Sequence, residues 1–199
     1  MKPTLTAALA ATTLAVVMHV PSSADEPRRE APPHVHGVGQ LDVAVDVDMI
    51  MIELAAPAND IVGFEHAPAS DAEKKAVAEA RARLLNGGGL FQFTPAAKCA
   101  LKKAKVELEG ALEEGKKHES DKHDHASHDH AKDEAGHSEF HASYSFQCQS
   151  PMALSGMKTA FFSTFKNAMK LKVTMLGPKG QGAGEASRVN PEIDLASVL

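Results

Sequence analysis

The sequence predicts an α+β fold of mostly antiparallel β-sheets with one clear helix and a disordered histidine-rich loop between two strands. Several short runs alternate apolar and polar residues, as strands with one buried face do. One segment, residues 70–89, carries the start and stop signals of a helix. Residues 118–141 hold seven of the eleven histidines, and the polar part of this region separates two of the alternating runs.

The first predicted element is a β-hairpin over residues 41–54. Its apolar residues alternate with acidic and other outward residues, and a short turn near Asp46–Asp48 reverses the chain. Such period-two alternation on both sides of a turn favours two antiparallel strands with one buried face. The predicted buried residues are Leu41, Val43, Val45, Ile50, Ile52 and Leu54.

The predicted helix begins after Ser70. Ser70 and Glu73 have the spacing of a capping box, and Asp71 places a negative charge in the first turn, where the helix dipole favours it. Asn86 and the glycines at 87–89 end the helix, because such residues stop helices readily.

The remaining elements are short. Strands are predicted at residues 90–93, 99–108, 140–148, 171–175 and 192–195, and residues 157–169 fit either a short helix or a strand with a turn. The glycine-rich segment at 177–187 is predicted to be a surface loop, since glycine is depleted in strands.

The chain begins like an exported protein. Lys2 precedes an apolar run that ends near Val20, and small residues follow at Ser22 and Ala24, so residues 1–24 are predicted to be a signal peptide cleaved near Ala24. The apolar run is shorter than the roughly 20 residues that a membrane span needs. Residues 25–33 are a charged, proline-rich flexible leader, and residues 34–199 form one domain. We therefore expect a periplasmic protein whose mature chain is not inserted in the membrane.

The charge and the cysteine content limit the range of possible functions. The net charge of −5 argues against nucleic acid as a partner, because that partner demands a basic face. Cys99 and Cys148 are the two cysteines. In an oxidising compartment a disulfide between them is favoured, and a pair of thiolate metal ligands is the alternative.

The polar insertion at residues 110–136 contains no phenylalanine, tyrosine or tryptophan, and we expect it to be disordered. Histidines alternate with acidic residues in it, which lowers the cost of bringing a divalent cation close. Ordering about 20 residues at roughly 1–2 kcal/mol each would exceed the roughly 10–16 kcal/mol of a good zinc site, so few-residue chelates are expected. A solvated linker is the alternative. The candidate ligands here are His118, His123, His125, His128 and His130.

Three other stretches offer ligands on rigid elements. His34 and His36 form an i, i+2 pair before the hairpin, Glu65 and His66 precede the helix, and His137, Glu139 and His141 project from one side of a strand. Tetrahedral zinc takes four nitrogen, oxygen or sulfur ligands. Two histidine pairs, or one pair with His66 and a carboxylate, would supply them, although each histidine alone also fits a surface polar role.

Five motifs resemble the ZrgA-type periplasmic zinc-binding proteins of Gram-negative bacteria. They are "HVHGVGQLDVAVD", "PANDIVGFEHAP", the cysteine after "FTPAAK", "HSEFHASYSFQC" and "GPKGQGAGE". The resemblance runs from about His34 to Leu195. The resemblance implies zinc capture in support of an ABC-type importer. It also implies the Cys99–Cys148 bridge and the ligands His34, His36, His66, His137 and His141, while direct roles for Glu65 and Glu139 stay open.

The sequence therefore predicts a zinc-binding protein that is not an enzyme, and we expect it to be a monomer. It has no H-E-x-x-H motif and no serine in a nucleophile elbow, so a metalloenzyme is the weaker rival. A copper or nickel buffer is the stronger rival, because imidazole also binds these metals and copper precedes zinc in intrinsic affinity.

Overall fold

The computed structural model describes residues 35–110 and 138–199, which contain nine strands, four α-helices and two 3-10 helices, Pro95–Ala97 and Pro151–Ala153. The strands are β1 Val38–Asp46, β2 Met49–Pro57, β3 Phe91–Phe93, β4 Cys99–Glu109, β5 Glu139–Cys148, β6 Gly156–Thr159, β7 Lys170–Gly177, β8 Gly180–Ser187 and β9 Glu192–Asp194. The helices are α1 Ala58–Val62, α2 Asp71–Leu85, α3 Gly87–Leu90 and α4 Phe161–Thr164.

The strands form two sheets. Six of them lie in the order β4-β5-β2-β1-β7-β8, and three lie in the order β3-β6-β9. β1 and β7 run parallel, and the other neighbouring strands pair antiparallel. One helix, α2, is long and the other three are short. The prediction of an α+β fold with mostly antiparallel sheets and one clear helix is confirmed.

The β1–β2 hairpin provides the centre of the large sheet. Val43 is opposite Ile52 in the register, and both are buried, while Asp42 is opposite Glu53 on the outer face. Complete burial of such a branched side chain is worth roughly 1.5–3 kcal/mol, so this alternation fixes which face of the sheet is inside.

Helix α2 and the small sheet contribute to the core beside the inner face of the large sheet. The capping box of α2 is formed as predicted, with the Glu73 amide donating to the Ser70 hydroxyl at 3.2 Å. At the other end of α2 the buried Tyr144 hydroxyl donates to the Leu84 carbonyl at 2.9 Å. The Tyr144 ring also meets Phe91 of β3 edge-on, with 5.2 Å between ring centroids. Tyr144 of β5 therefore contacts both α2 and the small sheet.

The β4–β5 ladder is closed by a disulfide at one end, and at the other end, here called its open end, the chain between the two strands leaves the sheet. Cys99 and Cys148 are paired opposite each other and form the predicted disulfide. At the other end Glu109 lies opposite Glu139. The segment that connects β4 to β5 therefore leaves and returns at one point of the sheet, next to Glu109 and Glu139.

The prediction of a glycine-rich surface loop at residues 177–187 is wrong for most of that segment. β8 pairs with β7 in register from Lys170–Ser187 to Gly177–Gly180. The glycines of the β7–β8 hairpin let the chain's last residues approach closely: a Cβ on Gly177 of β7 would lie 2.3 Å from the Val198 carbonyl oxygen, and one on Gly182 of β8 would lie 3.1 Å from Val198 Cγ1. The close packing of backbone explains why low strand propensity did not exclude a strand here.

Several predictions lie outside the described residues: the signal peptide at 1–24, the leader at 25–33 and most of the insertion at 110–136. The described residues belong to one compact unit, Pro33–Leu199. Within residues 35–110 and 138–199, no helix has the length and apolar character to cross a membrane.

Candidate metal centre

His36 is presented by a rigid turn. A backbone hydrogen bond of 3.0 Å closes residues 35–38, and Gly37, in the third position, has a φ of +82°. This left-handed conformation costs glycine little and other residues roughly 1–2 kcal/mol. The Gly37 carbonyl accepts from the amides of Met169 and Lys170 at 2.9 and 2.8 Å, so the turn is fixed to the start of β7.

The imidazole of His36 meets the carboxylate of Glu65. The two atoms that approach are Nε2 and Oε1, 3.0 Å apart, and the Glu65 side chain is 17% exposed. Glu65 follows α1, and its backbone carbonyl accepts a hydrogen bond of 2.9 Å from the Ser138 hydroxyl. The pair thus joins the turn before β1 to the segment after α1, and Ser138 at the start of β5 is in contact with it.

Asp60 of α1 is a buried carboxylate next to the turn that carries His36. It is 2% exposed, and its Oδ1 accepts a hydrogen bond of 2.7 Å from the Gly37 amide. Burial raises the pKa of Asp60, whereas the Gly37 hydrogen bond and the charge of His36 lower it and the charge of Glu65 raises it. A buried carboxylate is therefore held beside His36 and Glu65.

A second cluster lies at the open end of the β4–β5 ladder. His141 Nε2 is 3.0 Å from Glu139 Oε2 and 3.6 Å from Glu109 Oε2. The hydrogen bond to Glu139 raises the pKa of His141 most; burial opposes the shift, and the charges of Glu139, Glu109 and Glu107 add to it. This cluster is strongly anionic and therefore attracts cations.

His66 lies apart from its neighbour Glu65. Its ring stacks on Phe64 with 5.0 Å between centroids, and its Nε2 is 3.7 Å from Glu73. The Glu73 carboxylate already accepts from the backbone amides of Ala69 and Ser70 in the capping box. Since a helix N-terminus carries positive potential, His66 has the least favourable surroundings for a cation among these three histidines.

The donor atoms of both pairs lie at hydrogen-bond distances, which can be compared with the distances around zinc. Two ligands bound at about 2.05 Å from a tetrahedral zinc are about 3.3 Å apart. The nitrogen–oxygen distances of 3.0 Å at His36, 3.0 Å at His141 and 3.6 Å between His141 and Glu109 fall on both sides of that value. Among residues 35–110 and 138–199, however, no three histidine, cysteine or acidic side chains are grouped so as to hold a metal. The described residues thus show histidine–carboxylate pairs and no complete metal site.

Comparison with known proteins identifies the family of the chain. Residues 33–195 match the family described as the ZrgA family zinc uptake protein. The chain belongs to the ZrgA family. This family is one of zinc uptake proteins and not of enzymes, which ties the chain to zinc and to uptake. The matched range includes both clusters, and no curated protein matches the chain.

The structure brings some of the predicted site residues of this ZrgA-family chain together and separates others. It pairs His36 with Glu65 and His141 with Glu139, and it places His66 with Glu73. The other predicted ligands fall outside the part of the chain that the structure describes; they are His34, His118, His123, His125, His128, His130 and His137.

Sequence reasoning missed two acidic residues near the clusters. Glu109 could have been found, because it continues the outward alternation of β4 and lies opposite Glu139 once the two strands are paired. Asp60 gave no signal, since "ANDIV" resembles an ordinary helix start and its burial appears only in the fold.

Proposed function

We propose that this protein captures Zn²⁺ in the periplasm through its histidine-rich segment and its folded histidine sites, and that it supports uptake by an ABC-type zinc importer. The observation that carries the proposal is the pairing of His36 with Glu65 and of His141 with Glu139, both at 3.0 Å, within a chain of a zinc uptake family.

The order of residues in the sequence supports completion of the first pair by predicted ligands. His34 is two residues before His36 in the sequence. His137 directly precedes Ser138 in the sequence, and the Ser138 hydroxyl donates to the Glu65 carbonyl. His34, His36, Glu65 and His137 together would make the four ligands of a tetrahedral site.

The histidine-rich segment gains from its place in the fold. It is attached at both ends to the open end of the β4–β5 ladder, where Glu109 faces Glu139. An ion held by a tethered chelate has a high effective concentration at whatever lies near the tether. We propose that the segment gathers zinc and that the clusters at its base hold it for delivery.

The first experiment is a zinc titration of the purified exported protein by calorimetry and native mass spectrometry. We expect more than one bound ion, and deletion of residues 116–136 should lower the number while sparing at least one site and the circular dichroism spectrum. Recovery of only bare protein after equimolar zinc would refute zinc capture. The same titration with Cu²⁺ and Ni²⁺ tests the alternative of copper or nickel buffering, which the imidazole–carboxylate donors also suit.

Variants locate the site. His36→Ala and Glu65→Gln should each weaken the tightest zinc site at least tenfold, because each removes a donor that a bound ion would use. Glu185→Gln is the matched control, since Glu185 is an exposed carboxylate of β8 in an ion pair of 2.9 Å with Lys170. Equal affinity for Glu65→Gln and Glu185→Gln would exclude Glu65 from the site.

A further inference from the structure

Asp60 is a buried carboxylate whose second oxygen has no hydrogen-bond partner. Oδ1 accepts a hydrogen bond from the Gly37 amide, but Oδ2 has no hydrogen-bond partner. Within residues 35–110 and 138–199, Oδ2 of Asp60 is the one buried side-chain oxygen or nitrogen without such a partner. Leaving a buried polar atom unpaired costs roughly 1–3 kcal/mol. A structural anchor for one amide needs a single acceptor, so the second oxygen calls for another explanation.

The position of Asp60 relates it to both members of the His36–Glu65 pair. α1 holds it five residues before Glu65, and its hydrogen bond holds the residue that follows His36. α1 is itself fixed, because the Ala58 amide donates to the Ser138 carbonyl at 2.8 Å and the Asn167 side chain donates to the Asn59 carbonyl at 3.0 Å. Asp60 therefore sits on a rigid element next to a rigid turn.

We propose that Asp60 is a positioning residue of the His36–Glu65 zinc site, with Oδ1 fixing the turn that presents His36 and Oδ2 accepting a hydrogen bond from the ligand shell of the bound ion. Histidine ligands of metals regularly donate their second ring N–H to an acceptor, and these outer partners orient the ligand. A buried negative charge also offsets the positive charge of zinc. The inference depends on the zinc capture proposed above.

Asp60→Asn separates this role from a structural one. Asparagine keeps the oxygen that accepts from Gly37 but lacks the negative charge and the second acceptor. We expect zinc affinity at the His36 site to fall by about 10–100-fold, the usual effect of losing an outer partner. The Gly37 amide should keep its hydrogen-bonded chemical shift in ¹H–¹⁵N NMR spectra. Asp194→Asn is the control, because Asp194 also accepts from a backbone amide, that of Ala196 at 2.9 Å, but in the small sheet.

A measurement on the unmodified chain makes the test independent of how Asp60→Asn folds. The ¹³C resonance of the Asp60 carboxyl should shift when one equivalent of zinc is added, and this shift should be absent in His36→Ala. An unmoved resonance, or Asp60→Asn with wild-type affinity, would overturn the inference while zinc binding itself stands. Failure of the wild-type protein to bind zinc would instead refute the proposed function.

Discussion

Replacing Gly37 by alanine tests whether the turn that carries His36 is preorganised. Gly37 has a φ of +82°, and its amide and carbonyl are both hydrogen-bonded, to Asp60 and to the start of β7. A Cβ at this position would lie 2.2 Å from Met169 Cε and 3.3 Å from Met169 Cγ. The substitution therefore disturbs both the backbone conformation and its packing.

The expected loss of stability is about 2–3 kcal/mol. The left-handed conformation costs a residue with a Cβ roughly 1–2 kcal/mol. Met169 is 62% exposed, so its terminal methyl can swing into solvent, and the remaining contact with Cγ adds only about 1 kcal/mol, the low end of overpacking. For a domain of this size each kcal/mol moves Tm by roughly 2–4 °C, which gives a fall of about 4–12 °C.

Urea denaturation followed by circular dichroism measures the stability, and competition with a chromophoric chelator measures zinc affinity. Gly180→Ala is the control: Gly180 has a φ of +124° at the start of β8, and a Cβ there would have no heavy atom within 4 Å. Both variants should lose stability, but only Gly37→Ala should lose zinc affinity, because only Gly37 borders His36. Gly37→Ala with wild-type stability, or with full zinc affinity, would refute the preorganised turn.

Three further predictions concern the fold and its titration. Tyr144→Phe should cost about 1–2 kcal/mol in urea denaturation, because the buried Leu84 carbonyl loses its donor; an unchanged midpoint would contradict this. Replacing both cysteines by serine should cost at most about 4 kcal/mol, since the disulfide closes a separation of 49 residues, and an equal midpoint for the wild-type protein with and without reductant would count against it. Because the pKa of His141 is raised in the folded protein, the ion pair of protonated His141 with Glu139 stabilises the metal-free fold. This stabilisation is fully present below the unfolded pKa of about 6.5 and is lost as pH rises through the folded pKa. Glu139→Gln should lower that pKa in an NMR titration, and zinc should bind the cluster more tightly as the proton leaves; a pKa that does not respond would disprove the coupling.

The elements that the sequence predicted well are those whose local pattern and tertiary surroundings agree. In the β1–β2 hairpin the alternation of apolar and acidic residues coincides with the buried and exposed faces. In α2 the cap residues and the apolar positions point to the same boundaries. Local preference and burial reinforce one another there, so the pattern could be interpreted without the fold.

β8 shows where this agreement fails. Its glycines favour a loop locally, but hydrogen bonds to β7 and the close approach of Val198 stabilise a strand. β7 immediately precedes β8 in a hairpin, whereas Val198 comes from the last residues of the chain. Tertiary contacts therefore override propensity, and a single sequence carries little sign of them.

The candidate site likewise has a part that the sequence predicted and a part that it did not. The residue types and the strand carrying Glu139 and His141 were predictable from alternation. The pairing of Glu65 with His36 was not, because 29 residues separate them and the nearer histidine, His66, turns instead to Glu73. Such a pairing depends on where α1 and the turn at Gly37 come together, which is a property of the folded chain.

The proposed function requires that a captured ion be released again, and incomplete sites would suit that requirement. A complete structural zinc site binds with an apparent free energy of roughly 10–16 kcal/mol, and its tight end corresponds to a Kd near 1 pM. Release from so tight a site is slow, because affinity is set mainly by the dissociation rate. Under the proposed function, the His36–Glu65 and His141–Glu139 pairs on rigid elements fix where zinc binds, while donors on adjoining chain segments complete the coordination. Because those outer donors can leave one at a time, a partner's ligands can replace them stepwise, and the ion never has to dissociate into water.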